Sequence, residues 1–443
     1  MPDPRHFRFG LGPRPGGGLP PDPAAQLDGP DAMAERHPGP PRAQVFAAFA
    51  TLREARRADP PDPAALMAAE AAMTALVLGA QRRHIARALD SETPWRERLV
   101  RFWANHFSVT PKARILIPEW AEMIESAIRP QVGGRFSDLL RASVLHPAML
   151  RYLDQDSSIG PNSRMGRNRG LGLNENLGRE LLELHTLGAD GPYAQTDVRA
   201  VALLLTGHTV DRGASVFEVR RAEPGVQTIL GRRYGGLIRR EGDLPALLDD
   251  LAARPETAAH LSRKLAAHVV ADEPPAALVA DLAAEWRASS GELGRVSAAL
   301  AAHPLALDAP PAKIRPPFDW LVAALRALGV TGAEVMGWPD DTLRRLVLTP
   351  MTTMGQNWMG APSPAGWPDT APDWLTAPAL AARIDWAMDA PARLRPALPD
   401  ARAFVDVALA GGADDRLRRL VAASETNTEA LGLVLSAPAF MRR

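Results

Sequence analysis

The sequence predicts a mostly α protein, a multi-helical orthogonal bundle with one minor β-hairpin near residues 216–231. Three observations carry that prediction. Apolar residues return every three or four positions over most of the 443-residue chain, the spacing of a helix that buries one face. The recurrences are punctuated by Pro, Gly and N-cap residues where helices start and stop. Only one interval breaks into short β-prone runs.

Residues 1–41 are rich in Pro and Gly and carry no sustained period, so they read as an irregular N-terminal arm. Residues 42–308 read as a helical core. Helical spacing runs through 44–57, 62–89, 96–108, 118–128 and 136–145, then 174–187 and 196–206, the last two closed by Gly188 and Gly207. Val216–Val219 and Val226–Leu230 flank Ala222-Glu-Pro-Gly225, a turn signal between short β-prone segments. Helical spacing resumes over 243–302. A Pro-rich stretch at 309–313 opens a C-terminal part, 309–443, with helices near 317–328, 340–348, 379–388, 401–408, 416–423 and 429–435. Between them a Trp/Pro/Gly-rich loop spans 353–374.

Composition narrows the functional classes. Acidic and basic residues balance at 51 each, so no net field recruits nucleic acid or an anionic membrane. Without cysteine there are no disulfides, thiolate metal sites or thiol nucleophiles. The first residues lack the apolar core of a secretory signal, and no window approaches the ~20 apolar residues of a membrane span. The expected location is cytoplasmic, with envelope association if a leader was removed or a partner carries one. The 51 basic residues include only three lysines, Lys112, Lys264 and Lys313. Such arginine bias suggests a GC-rich bacterial genome, in which Lys and Asn persist where their side chains are wanted.

Four of the seven asparagines fall between Asn162 and Asn176, leading into a run that reads as a helix over 174–187. At 100° per residue, Asn176, Arg179, Glu180 and Glu183 share one arc, beside an apolar stripe of Leu177, Leu181 and Leu184. Two carboxylates and a guanidinium together suit acid–base chemistry, and a Glu pair at i, i+3 can share a hard divalent cation. The alternatives are a solvated face with an Arg179–Glu183 pair, or a buried ionic network between helices. The preceding loop, from Tyr152 to Gly172, contributes Asp154 and Arg164. It feeds a helix N-terminus at Asn174, where an anionic group can sit; a flexible surface loop with Asn174 as N-cap is the alternative.

Arg101-Phe-Trp-Ala-Asn-His-Phe-Ser108 places His106 on an aromatic face. It is either a satisfied core histidine or a base or metal ligand facing the acidic helix, with Asn105 and Lys112 nearby. The 353–374 loop holds Trp358, Trp367 and Trp374, which either form a stacking platform over a site or fasten the loop to the core. There is no nucleotide-binding, serine-hydrolase or zinc-peptidase motif.

Phe102–Phe107, His146–Asp154, Asn174–Gly188, Tyr193–Val198, Leu205–Gly207, Gly355-Gln356, Gly366-Trp367 and Leu435–Phe440 together resemble the bacterial domain-of-unknown-function family 1800 over nearly the whole chain. That resemblance implies a mostly helical fold. It also implies an envelope context and a partner, a secreted sulfatase-like protein of domain-of-unknown-function family 1501. Three departures stand out. His208 replaces the Trp of a Thr-Gly-Trp pattern, and Ala222-Glu223 replaces a His-acid pair, which weakens any metal site there. Gly178 stands where alanine is usual.

Whether the chain is an enzyme is open from sequence. The leading expectation is an enzyme, possibly hydrolytic on an anionic or carbohydrate-like substrate. Glu180, Glu183, His106 and Arg179 form its catalytic set; Asn174, Asn176, Lys112, Asn105, Asp154, Arg164 and Trp367 bind substrate. The cofactor is undefined, a divalent cation being one candidate. The alternative is a non-catalytic partner or maturation factor for the sulfatase-like protein.

Overall fold

The computed structural model describes residues 3–110, 117–169 and 172–443. It is mostly helical, with two small two-stranded antiparallel sheets. Many helices begin as the sequence requires. Pro63, Pro94, Pro255 and Pro317 each occupy a first turn, where a missing N–H costs nothing. Asp62 caps the 28-residue helix Pro63–Asp90 by accepting from the backbone N–H of Ala64 and Ala65.

That helix is about 42 Å long at 1.5 Å per residue, and its two halves behave differently. The first half pairs with Arg42–Arg57 as a two-helix arm held by a small cluster of Leu52, Ala69 and Met73. The second half enters the body, giving Ala80 to one core and Leu78, Ile85, Ala88 and Leu89 to another. By length and composition alone, the helix is long and apolar enough to cross a membrane. This corrects the expectation that no window approaches a span: the stretch is rich in alanine and interrupted by few charges.

Two apolar cores organise the rest. The first packs Trp95, Trp103, Phe107, Phe136, Leu181, Val201, Leu265 and Trp286, with Phe136 bridging Trp103 and Trp286 at ring-centroid distances of 5.7 and 5.2 Å. The second gathers Trp320, Val347, Trp386, Phe404, Leu431 and Phe440. The segment before Arg42 forms only short helical turns, yet it is tied to both cores. Phe9 enters the first and Leu11 the second, while Arg8 donates to the carbonyls of Ala309 and Pro310.

The β structure brackets the expected interval, extending from 208 to 236, and its pairing differs. β1 (His208–Asp211) pairs with β2 (Ala214–Phe217), and β3 (Gly225–Ile229) pairs with β4 (Arg232–Gly236). The two segments expected to face each other across 222–225 instead belong to separate hairpins. Their turns are Arg212-Gly213 and Leu230-Gly231, all four residues at positive φ, the geometry whose twist matches paired strands. The expected turn is a connector: Glu223 accepts from Asn162 through its backbone N–H at 2.8 Å and its side-chain amide at 2.6 Å.

Candidate functional site

The Asn-rich motif forms the helix Asn176–Glu183, with Leu177, Leu181 and Leu182 buried. Gly178 suits its crossing with Gln195–Leu205, because a Cβ there would lie 3.0 Å from the Ala202 nitrogen. Arg179 does not pair with Glu183; it donates to Gln195 Oε1 at 2.8 Å, where a partner on the neighbouring helix is better placed. Glu180 and Glu183 are half-buried. Burial, then the charge of Glu183, raises the pKa of Glu180. Asn174 lies one position before the cap residue, Glu175, and accepts from the Asn176 N–H at 2.8 Å. Asn176 and Arg164 are exposed. Asp154 adopts left-handed backbone geometry, and Lys112 lies outside the described residues.

None of these acidic-helix residues lines the main cavity. That cavity, about 300 Å³, lies where the two cores meet. Its walls come from the helix Pro94–His106, the helix Pro255–Val269, the start of Pro317–Ala327 and the 353–374 loop. Of the expected site residues, Asn105, His106 and Trp367 are brought together here.

Asn105 works as a clasp. Its amide donates to the Trp367 carbonyl at 3.0 Å, and its oxygen accepts from the Trp367 N–H at 2.7 Å. Gly366 makes the approach feasible. Its φ is +88°, and a Cβ there would sit 2.3 Å from the Asn105 carbonyl oxygen. So the tryptophan loop is both fastened to the core and part of the cavity wall. Trp358, Trp367 and Trp374 face the space with Trp120, Phe102 and Phe318, while exposed Asn357, Ala365 and Pro368 rim it.

His106 faces Lys264 and the His185 backbone rather than the acidic side chains. Lys264 Nζ lies 3.1 Å from His106 Nδ1, and His106 Nε2 lies 3.3 Å from the His185 carbonyl oxygen. Since a carbonyl only accepts, the proton belongs on Nε2, and Nδ1 receives the lysine's hydrogen bond. Burial, reinforced by Lys264, holds His106 well below the usual histidine range. Burial likewise lowers Lys264 to about 8. One turn further along the same helix face, His268 Nδ1 meets Asp369 Oδ2 at 2.7 Å. Burial holds His268 at about 4 despite that carboxylate, so at neutral pH its Nδ1–H donates and Nε2 keeps its lone pair.

Beneath the cavity lies an ionic network. Asp319 accepts from Arg98 at 3.1 Å, from Arg101 at 2.7 Å and from Arg443. Burial alone would raise Asp319, but Arg101, Arg443 and Arg98 outweigh it and hold the carboxyl below its ordinary range. Lys313 joins Asp272 at 2.6 Å and Asp369 at 3.5 Å. Four cations, Arg98, Arg101, Lys313 and Arg443, thus meet three carboxylates, Asp272, Asp319 and Asp369. Of these groups, Arg101, Asp319 and Asp369 line the cavity itself, and Lys264 adds a second basic group to its wall. Three buried donors on lining residues, Arg101 Nη1, Trp120 Nε1 and Trp374 Nε1, find no partner among the described residues. Buried donors elsewhere in the cores, Trp95, Trp286 and Trp320 Nε1 among them, share this state; the three here differ in belonging to residues of the cavity wall.

Among the described residues, no group of three or more His, Asp or Glu side chains is placed to hold a metal ion. His208 stacks on Phe217 at 5.0 Å instead. Sequence reasoning missed Lys264, His268, Asp369, Arg101 and Asp319. One signal was available: His260, Lys264 and His268 recur at i, i+4 and i+8, a single helical face. Asp319, Asp369 and Arg443 carried none, because only the fold joins them.

Fold and site together define a helical protein whose two cores enclose a tryptophan-walled cavity. The chain belongs to the DUF1800 family, described as a protein of unknown function, matched over residues 6–442. No curated protein and no solved structure matches it.

Proposed function

We propose that this cavity is a small-molecule site, and the seat of an enzyme activity, for an organic anion with an apolar, aromatic-sized body. The carrying observation is that Arg101 and Lys264 both line the cavity, with buried donors at Arg101 Nη1, Trp120 Nε1 and Trp374 Nε1 that lack a partner among the described residues. A volume of about 300 Å³ falls at the lower end of the range for small-molecule sites. Lys264, His106 and the His268–Asp369 pair supply groups able to move protons at neutral pH. Support for the anionic half of the sequence expectation comes from the donors. Hydrolysis lacks comparable support, because Asp319 and Asp369 are committed to cations rather than free to activate water.

Tryptophan fluorescence tests this directly. Benzoate and phenylacetate should quench saturably, and benzylamine and benzyl alcohol far more weakly. Arg101→Gln should weaken carboxylate binding by roughly tenfold, equivalent to about 1.4 kcal/mol, and leave the neutral ligand unchanged. Equal binding of the charged and neutral compounds would overturn the proposal.

A second reading, as a partner of the secreted sulfatase-like protein, draws support from the two-helix arm. There Ala64, Ala65, Ala68, Ala71, Ala72 and Ala75 are exposed, and Met67 is 70% exposed. An apolar face of this kind suits a protein contact. Mixing the two purified proteins should give a complex on size exclusion that Ala68→Arg abolishes; separate elution would remove this reading.

A further inference from the structure

We propose that Lys264 forms a covalent imine with a carbonyl compound that also bears a carboxylate, the carboxylate resting on Arg101 and the carbonyl carbon meeting Nζ. This rests on the cavity being an organic-anion site and names the class of anion. The first observation is a contrast between the two described lysines. Lys313 is held by Asp272 and Asp369. Lys264 lines the cavity and, among the described residues, has no carboxylate within ion-pair distance, its hydrogen bond running to the neutral ring of His106. A buried lysine with no carboxylate in direct contact favours its neutral, nucleophilic form, and burial outweighs the more distant charge of Asp369 to lower it to about 8.

The second observation is spacing. Arg101 and His106 lie on one helix, five positions or about 7.5 Å apart along its axis. Arg101 is oriented by Asp319 on one side and by the Phe318 ring, 4.9 Å away, on the other. Its Nη1 remains without a partner among the described residues. Arg101 and Lys264 line the same aromatic-walled cavity, so a ligand held at the guanidinium occupies the space the lysine borders.

The chemistry balances without any redox partner. Neutral Nζ attacks the carbonyl carbon, a C–N bond forms and the π pair moves to oxygen. His106 Nδ1, already bonded to Nζ, takes the proton that the new C–N bond releases. It returns that proton to the alkoxide, giving the neutral carbinolamine, and carries the second N–H proton to the hydroxyl, which leaves as water while the nitrogen lone pair completes the C=N bond. His106 is thus the proton relay, and its Nε2–H bond to His185 fixes the ring for the task.

The test uses 4-formylbenzoate, which carries an aldehyde and a carboxylate across one ring, with borohydride to trap the imine on the intact protein. Intact mass and peptide mapping should place one reduced adduct on Lys264, formed at least about tenfold faster than on Lys313 or the N-terminal amine, since binding raises the local concentration. The rate should climb with pH through about 8 and level off. Lys264→Met should remove that adduct. Mapping on the wild-type chain decides the matter even if that variant folds poorly. Terephthalate, the same shape without the aldehyde, is titrated in parallel by fluorescence. If terephthalate binds and Lys264 stays unlabelled, the imine is refuted while the anion site stands. If neither compound binds, both proposals fall. Labelling spread over all amines equally also refutes the imine.

Discussion

Lys264 shows how one residue sets the character of the cavity. Its pKa falls from 10.5 to about 8, so between those values the unfolded chain binds more protons than the folded one. Stability should therefore rise with pH across that window. The full difference is on the order of 3 kcal/mol. Urea unfolding at pH 7.5 and 9.5 should show the rise in the wild-type chain. Lys264→Met should flatten it and be the more stable of the two at the lower pH. A parallel rise in both proteins would assign the effect to another group. His106 is the counterpart: its neutral ring accepts from Lys264 without supplying a charge to hold it protonated.

At the level of elements, the tryptophan loop depends on one backbone contact. Asn105 makes two hydrogen bonds to Trp367, and Gly366 is the only residue type that fits both the positive φ and the 2.3 Å approach. Gly366→Ala should cost about 1–3 kcal/mol from strain and release Trp367 from the wall. The expected readout is a lower thermal midpoint together with a red-shifted tryptophan emission and lost quenching by benzoate. Unaltered quenching would show that the loop holds its place by other contacts. The π-helical turn Ile124–Ile128 begins with a cavity-lining residue, consistent with the habit of such turns to gather at functional sites.

Across the whole molecule, Asp319 joins segments far apart in the chain: the helix bearing Arg98 and Arg101, its own helix, and Arg443. Asp319→Asn would leave three buried guanidiniums without their shared counter-charge, a loss on the order of 3–5 kcal/mol. Because Asp319 is held below its ordinary value of 3.8, its contribution is complete above that pH and fades only as the solution becomes more acid. The substitution should lower the urea midpoint at pH 7, and the difference from the wild type should shrink in strong acid. A loss below about 1 kcal/mol would mean that the network behaves like a surface one.

The helical class, the positions of most helices and the aromatic face around His106 were legible in the sequence, because helical period, proline starts and side-chain type are local properties. Residue rarity pointed to Asn105 as well as to Asn174 and Asn176, and it could not separate a clasp at a cavity from an Asx turn on an exposed helix end. The hairpin turns escaped because Arg-Gly and Leu-Gly lack the usual Asn or Asp. Only the tertiary structure decided that Lys264 faces a neutral histidine while Lys313 faces two carboxylates, and that Asp319 collects three arginines. Charge and burial there depend on which distant segments meet, a matter of packing that no local pattern encodes.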